Sequence, residues 1–450
     1  MLKLERKDEQ TLKLTRELGE AAAHRLDLYI FIPGELNVDA QIISEQEFYL
    51  QGIIVTRTYS SRAQLAPLVQ SRLISRSSSQ SDRPDPKYRL SLSLYAHQYA
   101  IALEGATIAL LGQDAVARED VGELLDLSST ILKRLRRNVP KDDGLARYHI
   151  NIDNYLSWQT EQQLLMLAAR LRFADDQLDL RDLLIKVAKR EHNYREEQGY
   201  NSATLNNDST RMSNKMRLLR RLIEYPITFK RITVELGLGE QRWLRALVAA
   251  VAMTGVSFLL FESRMLLGDL TAMFLLVAAF LYGVREFYRE DIRQKIWAWL
   301  RKGRPKWRHT YTDVNSDQTI GRSLEWLDYV VYNELPDEIR KARRGSTPQR
   351  GESVLHYRND SKMLPTRFLS GYVETRESII LDLDLIMRVM NPSSHSVYRL
   401  TDNDIVEENV EKRYVLNVVT RDVEGDGSVR LQRWRVTVNH ARIIDVELSD

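Results

Sequence analysis

The stretch FLLFESRMLLGDL, residues 258–270, interrupts an apolar run with Glu262, Ser263 and Arg264 before apolar residues resume at Met265. On one side lies WLRALVAAVAMTGVSFLLF (243–261) and on the other LLGDLTAMFLLVAAFLYGV (266–284). As helices, each would be about 28 Å long at ~1.5 Å per residue, close to the ~30 Å hydrocarbon core of a bilayer. Each carries one charge near an end, Arg245 in the first and Asp269 in the second. The pattern reads as two membrane spans joined by an outer turn at ESRMLLGD. The competing reading, a hairpin buried in a large soluble core, does not call for matched basic flanks.

Those flanks set the orientation. Lys215, Arg217, Arg220, Arg221, Lys230, Arg231, Arg242 and Arg245 precede the first span. Arg285, Arg289, Arg293, Lys295, Arg301, Lys302, Arg304, Lys306 and Arg308 follow the second. The turn has only Arg264 against Glu262 and Asp269. By the positive-inside rule both flanks, and with them both termini, face the cytoplasm at a cell inner (plasma) membrane. Trp243, Arg242, Arg245, Arg285, Tyr288, Trp297 and Trp299 occupy the positions of interfacial anchors, with anionic lipid headgroups as their partners. Basic residues beside tryptophans also suit nucleic acid, but next to a span lipid anchoring is the stronger reading, and no nucleic-acid partner is expected. Ala246 and Ala250 on one span, and Ala279 and Gly283 on the other, recur every fourth residue and are expected to pack the two helices closely. Neither span has a charge at mid-depth; Thr254 and Ser257 are the polar residues deep in the first.

The rest of the chain is soluble in character. Of its 450 residues 28% are charged, with a net charge of +3, so the apolar residues are concentrated in one region. The N-terminal segment MLKLERKDEQTLKLTRELGE has no apolar run suited to a signal peptide and reads as a charged helix. DLYIFIPGELN (27–37) and FYLQGIIVTRTYS (48–60) read as strands, and SRSSSQSDRPDPK (75–87) as a loop. Apolar residues at three- and four-residue spacing make 95–240 a helical region, with 201–215 as a polar loop. Its last part, from Met216, is expected to lie at the lipid headgroups. A basic juxtamembrane and helical segment spans 286–345, a linker 346–365, and an antiparallel β domain 366–450, where VEGDG marks a hairpin turn. The fold class expected is therefore an α+β membrane protein: a two-span helical hairpin at 241–285, a mainly helical cytoplasmic region, a small β element within 1–94 and a C-terminal β domain.

Several chemistries have no motif. There is no cysteine, hence no disulfide, thiolate metal site or cysteine nucleophile. No phosphate-cradling glycine loop occurs; GLGE (236–239) lacks the lysine such a loop needs. The eight histidines, His24, His97, His149, His192, His309, His356, His395 and His440, are scattered, with no metal-ligand spacing. Asp382 and Asp384, two apart on an expected strand, form the best carboxylate pair, but a solvent-facing strand edge explains them as well. Asp402 and Asp404 lack the spacing of a calcium loop, and Ser394 beside His395 is not a catalytic arrangement. No cofactor is expected. The sequence reads as a non-enzymatic membrane scaffold, sensor or adaptor with a protein partner or a homo-oligomeric state. The alternatives are a subunit of an oligomeric channel or transporter, and a membrane-attached enzyme whose site is built from scattered residues.

Overall fold

The computed structural model describes residues 2–19, 23–60, 64–70, 86–113, 117–171, 178–267, 272–343, 351–368, 374–401, 404–425 and 427–449. It is a mixture of helix and sheet. The N-terminal segment is sheet rather than the expected helix. Leu2, Leu4, Leu12, Leu14 and Leu18 are buried at every second position, and that period of two governs the backbone despite the charges between them. β1 (Lys3–Arg6) and β2 (Thr11–Leu18) pair antiparallel. β3 (Ala23–Ile32), α1 (Glu45–Gly52), β4 (Ile53–Ser60) and α2 (Ala66–Gln70) follow.

A helical module comes next: α3 (Pro86–Leu111), α4 (Arg118–Arg137), α5 (Asp143–Arg170), α6 (Leu178–Glu197), α7 (Ala203–Asn206) and α8 (Ser209–Glu224). It has its own core, in which Tyr99, Leu103, Leu132, Leu156, Leu164 and Leu184 meet. The expected polar loop at 201–215 is largely helical, because Asp208 caps α8 by accepting from the N–H groups of Thr210 and Arg211.

Beyond it lie β5 (Lys230–Glu235), α9 (Leu238–Leu267), α10 (Ala272–Arg301), β6 (Trp307–Thr312), β7 (Thr319–Val330), α11 (Asp337–Arg343), β8 (Ser353–Met363) and β9 (Glu374–Asp382). The chain ends with α12 (Asp384–Met387), β10 (Ser394–Thr401), β11 (Asp404–Glu411), β12 (Tyr414–Val423), β13 (Val429–Val438) and β14 (Ile443–Ser449). Three expectations change here. The segment read as a linker holds β8, which lies between β3 and β7. Within the segment read as basic juxtamembrane and helical at 286–345 lie the strands β6 and β7. The segment from Met216, read as lying on lipid headgroups, supplies the end of α8 and the edge strand β5. In β7 the inward residues Ile320, Ser323, Glu325 and Leu327 mix polar with apolar side chains at buried positions, which hides the strand pattern.

Nor do the two ends of the chain form separate domains. A four-stranded sheet runs β1-β2-β9-β4 and an eight-stranded sheet runs β14-β13-β12-β3-β8-β7-β6-β5. N-terminal and C-terminal strands are interleaved in both, and every pairing is antiparallel. The sheets pack face to face over Leu12, Leu14, Leu28, Ile30, Ile379 and Val418. Both side edges are seamed: the Ile443 N–H donates to the Glu9 carbonyl at 2.6 Å, and the Phe229 N–H donates to the Arg57 carbonyl at 2.9 Å. The result is a flattened, nearly closed barrel. The β10–β11 ribbon pairs with neither sheet.

Candidate functional site at the base of the helix pair

β5 and β6 are antiparallel neighbours, and the chain between them is the α9–α10 pair. The long helices are thus an insertion at the edge of the eight-stranded sheet. α9 continues through Glu262, Ser263 and Arg264 to Leu267, so the polar triplet is not the turn. It contains no glycine or proline, and the Ser263 hydroxyl donates to the Leu260 carbonyl at 2.9 Å. Residues 268–271, including Asp269, lie outside the described residues.

Among the described residues one helix, Leu238–Met265, is long and apolar enough to cross a membrane, and 11% of its most apolar window is buried. Trp243 is 80% exposed, and Leu247, Val251, Phe258 and Phe261 are exposed as well. A core helix of a soluble protein would be mostly covered, and this one is not. The described part of α10 is apolar from Ala272 to Val284 and charged from Arg285 onward. The lower part of α9, from Trp243 to Val251, stands beside the charged part of α10.

The helices meet through Leu244, Val248, Ala252, Val256 and Leu260 of α9, and through Phe274, Val277, Ala278 and Leu281 of α10, which are the positions that lose exposure. Ala246, Ala250, Ala279 and Gly283 are exposed, and a Cβ at Gly283 would meet nothing within 4 Å. The expected small-residue packing is therefore absent: the seam follows the larger side chains, whose burial removes more apolar surface from solvent. Of the expected anchors, Arg242, Trp243, Arg245, Tyr288 and Trp299 are exposed. Arg285 is half-buried at 6.0 Å from the Tyr282 ring, and Trp297 is half-buried.

At the base of the pair lies a cleft of about 840 Å³. Gly237 makes the entry to α9 with φ +91°, and a Cβ there would come within 2.7 Å of Arg301 Nη1. That space is what admits Arg301, the last residue of α10. Its Nη2 donates to the Leu236 carbonyl at 2.8 Å, and its guanidinium lies 5.5 Å from the centre of the Trp297 ring. Arg301 is 9% exposed and has no carboxylate partner among the described residues. Burial lowers its pKa. The neighbouring cations are matched: Lys306 pairs with Glu45 and with Asp328, and Lys302 with Glu334 at 3.0 Å. Glu235, also in the lining, has no ion pair among the described residues.

Trp307 forms part of the cleft wall and leads inward. Its ring stacks on Tyr49 of α1 at 3.5 Å, with 7° between the planes. The Tyr49 hydroxyl donates to Glu325 Oε2 at 2.6 Å and lies 2.7 Å from His309 Nε2. Arg231 Nε donates to His309 Nδ1 at 3.0 Å, and Arg231 Nη2 to the Tyr49 oxygen at 2.8 Å. Arg231 Nη2 also lies 3.0 Å from His309 Nε2, and Glu325 Oε2 lies 3.2 Å from the same nitrogen. Burial first, and the Glu325 carboxylate second, push the Tyr49 hydroxyl far above the ordinary phenol range. Tyr49, His309 and Glu325 are all buried, so no substrate can reach them. The group acts as a polar brace between α1 and the β5–β7 edge.

The residues singled out for metal chemistry are placed otherwise. Asp382 Oδ1 accepts from the Asp384 N–H at 2.9 Å, and Asp384 pairs with Arg388, so the two acids start the α12 turn and share no strand face. Asp402 lies outside the described residues, and Asp404 opens β11. Ser394 and His395 are successive residues of β10. No group of three or more potential metal ligands occurs among the described residues. Sequence reasoning missed Arg231, His309, Glu325 and Glu235. The signal for Arg231, Glu235 and Glu325 was strand alternation in KRITVE and SLEWLDYV; His309 lies in WRHTYT, between aromatic residues at alternate positions. No family model, curated protein or solved structure matches this chain.

Proposed function

We propose that the chain is a membrane-anchored, non-enzymatic adaptor. The α9–α10 pair enters the inner membrane, and the barrel and helical module are presented at its cytoplasmic face. One observation carries this reading: the longest apolar helix leaves its apolar face uncovered by the rest of the chain. Such a surface needs a non-aqueous neighbour. Basic residues at the foot of both helices favour the cytoplasmic orientation. The attachment is stiff, because α9 and α10 spring from adjacent paired strands, with the Leu236 N–H donating to the Lys306 carbonyl at 2.8 Å.

Membrane fractionation tests the reading. The full chain should stay in the pellet after alkaline carbonate and be released by detergent. Because β5 and β6 are already neighbours, a variant with 238–305 replaced by Asn-Gly should fold and be soluble. Full-length protein in the soluble fraction before any detergent is added would refute the anchor.

A further inference from the structure

The cleft at the foot of α9 and α10 combines features that select a ligand with both charges. Arg301 is a buried guanidinium whose one defined acceptor is a backbone carbonyl. A guanidinium has five N–H donors, and although the Glu240 and Glu235 carboxylates act on Arg301 electrostatically, neither forms an ion pair with it. It is therefore suited to a phosphate, which it can grip in bidentate fashion. The lining as a whole is not basic, however. Arg301, Lys302 and Lys306 are balanced by Glu45, Glu235 and Asp328. A doubly anionic ligand would meet as much repulsion as attraction. The unpaired carboxylate of Glu235 and the exposed indole of Trp299 are instead the groups that hold an ammonium, by charge and by the ring face. A volume of about 840 Å³ falls in the range of small-molecule sites.

We propose that this cleft binds the headgroup of a zwitterionic, amine-bearing phospholipid, with the phosphate at Arg301 and the ammonium at Glu235 and Trp299. The inference rests on the anchor reading for the source of the lipid, since the cleft lies at the end of the helices assigned to the membrane. Its chemistry stands without it.

Native mass spectrometry of the detergent-purified full chain with added dihexanoyl phosphatidylethanolamine tests the site. One lipid should be retained per chain. Retention should fall at least tenfold in Arg301→Met and in Glu235→Gln. The second variant alters an exposed side chain and guards against misfolding of the first. Unchanged retention in Glu235→Gln would overturn the ammonium site. Equal retention of dihexanoyl phosphatidylglycerol would overturn the zwitterion assignment. Binding of free phosphoethanolamine as tight as that of the lipid would overturn the lipid source. Both variants should remain resistant to carbonate extraction. A chain that proves soluble yet retains one lipid would sink the anchor and keep the cleft, whereas a carbonate-resistant chain that retains none would do the reverse.

Discussion

Glu377 lies between two arginines by strand register alone: Arg16 faces it from β2 and Arg57 from β4. Arg16 Nε donates to one carboxylate oxygen at 2.6 Å and Arg57 Nη2 to the other at 3.0 Å. Arg16 Nη1 also donates to Asp422 Oδ1 at 2.7 Å, across the gap to the eight-stranded sheet. All three side chains of the triad are at most 1% exposed. Such a group contributes little net stability when intact but is costly to break, because the remaining charges are stranded. Glu377→Leu should therefore destabilise by about 3–5 kcal/mol in urea unfolding. The triple replacement Arg16→Met, Glu377→Leu, Arg57→Met should recover most of that loss; if it does not, the triad contributes more than mutual compensation. Burial alone would raise the Glu377 carboxyl, but Arg16 and Arg57 outweigh it and hold it below the ordinary carboxylate range. The unfolded chain thus takes up this proton more readily. Its stabilising share is complete above the ordinary carboxylate range and is lost as the pH falls through the lowered folded-state value.

The β10–β11 ribbon is an element without a core. Leu400 and Ile405, opposite each other near its tip, are 79% and 67% exposed. Its foot is closed independently, since the Lys412 N–H donates to the Ser393 carbonyl at 3.0 Å. A lone two-stranded ribbon is marginally stable in water. Replacing 395–410 with Asn-Gly should therefore leave thermal unfolding within a few degrees of the parent, or about 0.5 kcal/mol. A loss beyond about 2 kcal/mol would show that the ribbon supports the barrel. Elements differ in how far the sequence discloses them for a related reason. β12 and β13 carry alternating apolar residues around VEGDG, and β3 is apolar throughout Leu28–Ile32, so all three read as strands. β2, β4 and β9 place Arg16, Arg57 and Glu377 at inward positions, where charge is normally taken as a mark of solvent. The end of α9 misleads in the opposite sense. Glu262 to Arg264 break the apolar run, but a helix is broken by glycine or proline rather than by charge.

At the scale of the molecule, sequence order and spatial order diverge. The apolar helices and the helical module are local, and their periodicity discloses them. The barrel is not local: β9 lies between β2 and β4, and β12 lies beside β3, joining residues more than 300 positions apart. Nothing in a window of a few residues reports such a pairing. For the same reason neither the cleft nor the brace behind it could be assembled from motifs: Tyr49, Arg231, His309 and Glu325 come from α1, β5, β6 and β7. The two kinds of organisation should separate on dissection. Residues 64–224 hold a core of their own, connected in sequence, to which Leu65 and Leu68 of α2 contribute, and Leu90 and Leu94 near the start of α3 join the cluster that holds Tyr311 and Ile320 of the barrel. Expressed alone with Leu90 and Leu94 changed to glutamine, this segment should be soluble and helical and should unfold cooperatively. Residues 366–450 expressed alone have β9 without either neighbour and β12 without β3, so they should give an unfolded far-ultraviolet spectrum, since the loop-closure entropy of the long-range pairings is offset only when both ends of the chain are present. A cooperatively folded 366–450 fragment would mean that the C-terminal strands form a domain in their own right and that their interleaving with the N-terminus is a late, weak association.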